Sequence, residues 1–163
     1  MIRARSQARE AALKVLYQLD LRPDVERSEL EELVREDVPA ADAREFAREL
    51  IDGTREQLPA IDREIESVAI NWNLKRMAVI DRNILRLGTY ELLFRPELPA
   101  AVSINEAVML AKKYSTKESG GFVNGILDKV HRRHPGEKRG SGAPDPTAAA
   151  TPGADDEDAP SAE

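Results

Sequence analysis

Three arginines crowd the start of the chain: Arg3, Arg5 and Arg9 lie within nine residues, and no acid precedes Glu10. On a helix beginning near Ser6, Arg5 and Arg9 are four apart and share a face, with Arg3 on the approach. Positive charge at a helix N-terminus opposes the macrodipole. An anion such as RNA phosphate would complete that placement; an ordinary solvated helix start is the other reading. A second candidate, Phe122, follows the polar segment Ser115 to Gly121, which carries Lys117. Unpaired RNA bases are read by stacking as well as by edge hydrogen bonds, so Phe122 is a candidate stacking residue. On spacing alone it suits a core position better, because Phe122 and Ile126, four apart, share a face. Gly120-Gly121 ahead of a helix allows either a phosphate-binding nest or a flexible entry to that helix.

Other chemistry is sparse. His131 and His134, the only histidines, have an i, i+3 spacing that suits a metal. No acidic third ligand lies nearby, and Arg132 and Arg133 between them would repel a cation. No Gly-x-Ser-x-Gly elbow or Walker loop is present. The chain has no cysteine, which excludes thiol catalysis, disulfides, iron–sulfur clusters and cysteine-ligated zinc. A reducing cytoplasm is the compartment this composition suits. The expectation is a protein that is not an enzyme and needs no metal or cofactor.

Charge qualifies the nucleic-acid reading. The 163 residues carry a formal charge of −6, which at face value argues against an RNA partner. Residues 135–163, however, hold five of the ten prolines and four of the nine glycines, and their net charge of −5 leaves −1 for residues 1–134. The segment 137–163 has too little apolar surface to offset the entropy of ordering it and reads as a disordered acidic tail. The apolar runs are too short for a membrane span or a signal peptide.

The elements that must position these residues are helical throughout. Ala12, Leu16 and Leu19 recur at helical spacing up to Arg22-Pro23. Ser28 to Glu31 has the capping-box pattern and opens a short helix that closes before Pro39. A longer helix runs from about Ala41 to Ile70, kinked or restarted at Leu58-Pro59. Residues 74–94 form the most apolar helix, whose polar exceptions Asp81, Arg82, Asn83 and Arg86 are expected on one exposed strip. A second capping box, Ser103 to Glu106, starts the next helix, which makes Asn105 and Glu106 capping residues rather than ligands. Phe122 opens the last helix. With no alternating strand pattern, the fold class is all-α, a compact bundle of about seven helices.

Three segments together resemble the NusB family of transcription antitermination factors. They are Arg5 to Tyr17 (RSQAREAALKVLY), Ile80 to Leu92 (IDRNILRLGTYEL), and Ile104 to Val108 (INEAV) followed by Phe122 to Asp128 (FVNGILD). The likeness covers about 3–134. It implies a helical RNA-binding fold of two helical subdomains, about 1–72 and 73–136, that pairs with NusE, a small-subunit ribosomal protein, on the single-stranded boxA element of nascent ribosomal-RNA transcripts. The complex would join RNA polymerase and other Nus factors and suppress premature termination. By the same resemblance Arg3, Arg5 and Arg9 would meet phosphate. Glu118, Gly121 and Phe122 would face RNA, while Tyr17 and Asp81 would meet NusE. The resemblance leaves open a monomer or a homodimer. Two alternatives keep the fold: the RNA-binding part of a ribosomal-RNA cytosine methyltransferase, for which the stretch after Gly136 leaves no room for a cofactor domain, and a helical adaptor that binds protein without RNA.

Overall fold

The computed structural model describes residues 2–135, so the tail expected over 137–163 lies outside the described residues. Seven α-helices and no strand occur among them: α1 (Ile2–Leu21), α2 (Arg27–Asp37), α3 (Ala41–Glu56), α4 (Leu58–Val68), α5 (Val79–Phe94), α6 (Ala100–Tyr114) and α7 (Lys117–Arg133). A 3₁₀ turn, Leu74–Arg76, precedes α5. Among the described residues, no helix is long and apolar enough to cross a membrane.

Prolines place most of the breaks. Pro23, Pro39, Pro59 and Pro99 stand in a connection, at a first helical turn or at an N-cap, where a missing amide costs least. The central helix is α5, which packs against α1, α3, α4, α6 and α7, and α6 pairs closely with α7. Its apolar residues Ile84 and Leu85 join Leu13, Leu50, Ile65 and Leu127 in one buried cluster drawn from both ends of the chain. Glycine permits one close approach: a Cβ at Gly53 on α3 would fall 2.1 Å from the Tyr90 hydroxyl on α5.

Four local expectations are corrected. The first helix starts at Ile2, a full turn before Ser6. Neither capping box forms: α2 begins at Arg27 after Glu26 with no side-chain cap, and α6 begins at Ala100 after Pro99. Ser103 instead lies inside α6 and donates to Glu91 Oε1 at 2.7 Å, so a buried carboxylate outcompetes the capping role. The span 74–94 is two elements, because Met77 and Ala78 adopt extended backbone between the 3₁₀ turn and α5. Finally, the Ser115–Gly121 segment is mostly helix, with Gly120 and Gly121 in the opening turns of α7, so no phosphate nest is built there.

The polar strip of α5 is also less exposed than its composition predicts. Asn83 is buried, and Arg82, Asn83 and Arg86 all donate to Asp20 Oδ2 on α1, at 2.9, 2.9 and 3.2 Å. Arg86 makes a second, two-pronged bond to Asp62 on α4, at 2.9 and 3.0 Å. Burial pushes the Asp20 carboxyl up, but the bonds from Asn83 and Arg82 and the charges of Arg82 and Arg86 outweigh it and hold the group below its ordinary range. This lattice ties α1, α4 and α5 together and fixes the helix that carries Asp81.

Candidate nucleic-acid interface

The arginine end divides in two. Arg3 and Arg5 are exposed, and the Arg5 guanidinium lies 4.2 Å from the centre of the Phe46 ring on α3. That cation–π contact holds the charge at the surface at small entropic cost. Arg9, one turn on, is 3 % exposed. Its Nε donates to Glu91 Oε2 at 2.8 Å and its Nη2 to Glu91 Oε1 at 3.0 Å. The expected phosphate contact at Arg9 is therefore corrected: its guanidinium is committed to a buried carboxylate and joins α1 to α5. A shared helical face did not mean a shared depth.

From the arginine end, α6 leads to the second candidate region. Ser6 donates to Glu106 Oε2 at 2.9 Å, Tyr114 donates to Glu10, and Lys113 pairs with Glu10. Two of these groups are shifted. Burial and the Glu10 carboxylate push the Tyr114 hydroxyl well above its ordinary value. Burial would raise Glu10, but the bonds from Lys113 and Tyr114 outweigh it and lower the group. The stem of exposed Lys112 lies over Gly120, where an added Cβ would come within 3.2 Å of it, so α6 and α7 meet through a lysine stem and a glycine.

At the start of α7, Thr116 caps the helix by accepting from the Ser119 amide at 3.2 Å. The Ser119 hydroxyl in turn donates to Asp81 Oδ2 at 3.0 Å, joining α7 to α5. Asp81 Oδ1 is enclosed and accepts no bond among the described residues. A cavity of about 320 Å³ gathers Trp72, Arg76, Met77, Asp81, Glu118 and Phe122. Gly121 is exposed, with open space where a Cβ would stand. Phe122 is half-buried, one turn into α7 rather than at its start, so its core and surface readings each hold in part.

Tyr17, 37 % exposed, lines a separate groove of about 560 Å³ with Leu13, Lys14, Leu33, Ile80 and Tyr114. Ala78 borders both hollows, so Tyr17 and Asp81 flank the start of α5 from two sides. Sequence reasoning missed Trp72, which is 57 % exposed and meets Phe122 edge to face, with ring centres 4.9 Å apart. Its signal was available: the sole tryptophan, set between Asn71 and Asn73 where the apolar stripe of α4 has ended. Among the described residues no group of three His, Cys, Asp or Glu side chains is placed to hold a metal; His134 Nε2 lies 3.1 Å from Glu64 Oε2, which also pairs with Arg133.

The family model described as the NusB family matches residues 6–132, nearly the whole of the described bundle. The chain belongs to the NusB family. Among NusB relatives, the transcription antitermination protein NusB of Sorangium cellulosum is 45% identical over 127 residues, covering 78% of this chain and 91% of the relative. That of Myxococcus xanthus is 46% identical over 131 residues, covering 78% and 94%. A solved T. maritima NusB is similar with a TM-score of 0.71 at 43% identity, covering 80% of this chain and 92% of that one. A structure described as antitermination factors NusB and NusE in complex with dsRNA gives a TM-score of 0.74 at 34% identity, covering 82% and 100%. The relatives are named as transcription antitermination proteins and not as enzymes.

Proposed function

We propose that this chain is an RNA-binding transcription antitermination factor that pairs with NusE on boxA-type single-stranded RNA of nascent ribosomal transcripts. Through NusE and other Nus factors the complex engages RNA polymerase in the cytoplasm and carries it past terminators. The observation that carries the reading is the cavity in which Phe122, Glu118 and Asp81, from two helices and 41 positions of sequence, stand together. The relative solved with NusE holds dsRNA. An unpaired target is proposed here because stacking on an aromatic side chain needs a base free of its pair.

Arg3 and Arg5 supply phosphate contact at one end, Lys112 lies on the connecting helix, and Glu118, Gly121 and Phe122 face the bases. Tyr17 and Asp81 meet NusE beside the start of α5. Affinity is then largely electrostatic, while the cavity supplies selectivity. The test is binding of labelled boxA-type RNA in the presence of NusE across a salt series. The expected result is tighter binding than to a scrambled or duplex competitor. Equal affinity for all three would remove boxA selectivity, and binding to none of them would remove the RNA reading and leave the protein-only adaptor.

A further inference from the structure

Trp72 is unusual for a large aromatic residue, since at 57 % exposure it leaves much of its apolar surface in water. The loop that carries it is nonetheless firmly held. The Trp72 amide donates to Ala69 O at 3.0 Å, Asn73 Oδ1 accepts from the Lys75 amide at 2.8 Å, and Leu74 two residues on is buried in the core. The ring is thus presented by an ordered turn, edge to face with Phe122, at a cavity that also holds one guanidinium, Arg76, and two carboxylates, Asp81 and Glu118. Two aromatic surfaces, a cation for phosphate and acceptors for an amino group are together the inventory of a site for one nucleotide. The Glu118 carboxylate, exposed at this cavity, suits a base that presents an exocyclic amino group, which uracil lacks.

Resting on the RNA-binding reading above, we propose that Trp72 is a base-stacking residue which, with Phe122, receives one unpaired amino-bearing base of the bound RNA. The chain contains a single tryptophan, so its emission reports on this site alone. Titrating boxA-type RNA into the full chain with NusE, against a blank of NusE and RNA, should quench that emission. Trp72→Ala should weaken RNA binding about tenfold, within the range for loss of one aromatic–base stack, and Trp72→Phe should keep most of the affinity. Replacing each nucleotide in turn by an abasic one should reveal one position whose loss adds nothing further in Trp72→Ala. Thermal melting of each variant separates folding from binding. Tight RNA binding with unchanged emission, an unchanged Trp72→Ala affinity and no such position would overturn the base pocket while leaving the RNA-binding function standing. Absence of RNA binding by the unaltered chain with NusE would overturn both.

Discussion

At the arginine end of α1, two residues four apart on one helical face have opposite fates, whereas at the α5–α7 end residues from three separate elements share one cavity. Arg5 stays at the surface against Phe46, and Arg9 is buried on Glu91. Trp72, Asp81 and Phe122, spread over 51 positions, line one cavity of about 320 Å³. The difference shows what helical periodicity conveys. It fixes direction around one helix axis, and says little about how deep a neighbouring helix will cover a given turn. At the arginine end α5 and α6 cover the second turn and leave the first open.

The sharpest way to break this comparison is to remove Glu91. Because Arg9 is almost wholly enclosed, Glu91→Ala should cost about 3–5 kcal/mol of stability, measured by urea unfolding. A cost below 1 kcal/mol would mean that Arg9 reaches solvent as Arg5 does. Next in size, Asp81→Lys should weaken NusE binding at least tenfold, about 1.4 kcal/mol by calorimetry, without loss of helicity. Equal affinity for both proteins would remove Asp81 from the NusE contact. Arg5→Ala should leave stability within about 1 kcal/mol, the scale of an exposed cation–π contact. It should also lower the slope of log affinity against log salt by roughly 0.7, one phosphate contact. An unchanged slope would separate the arginine end from RNA.

The smallest expected effect is of pH. The carboxyls of Asp20 and Glu10 are both held below their ordinary values in the folded chain. Groups lowered in this way stabilise the fold above their unfolded values and lose that contribution as pH falls through the folded ones, so the loss lies in the acid range below about pH 4. Asp20→Asn should lower stability at neutral pH and flatten the acid decline between pH 4 and 2, followed by circular dichroism. A decline as steep as in the unaltered protein would place the titrating groups elsewhere.

The sequence by itself determined the helical class, the number of helices, most breaks between them and membership of the NusB family. Those properties rest on short-range causes: a 3.6-residue apolar period, prolines that cannot continue a helix, and segments whose order and spacing are read without a structure. Phe122, Glu118 and Asp81 were legible as candidates for the same reason. Tertiary structure alone decided which candidates line one cavity and which polar residues are spent on the fold. Arg9 meets a carboxylate 82 positions away, Ser103 abandons an apparent cap for that same carboxylate, and the α5 charges turn inward to Asp20 and Asp62. A buried charge is tolerated only with its partner in place, and that partner comes from another helix. Trp72 became meaningful on the same terms, once α7 brought Phe122 against it.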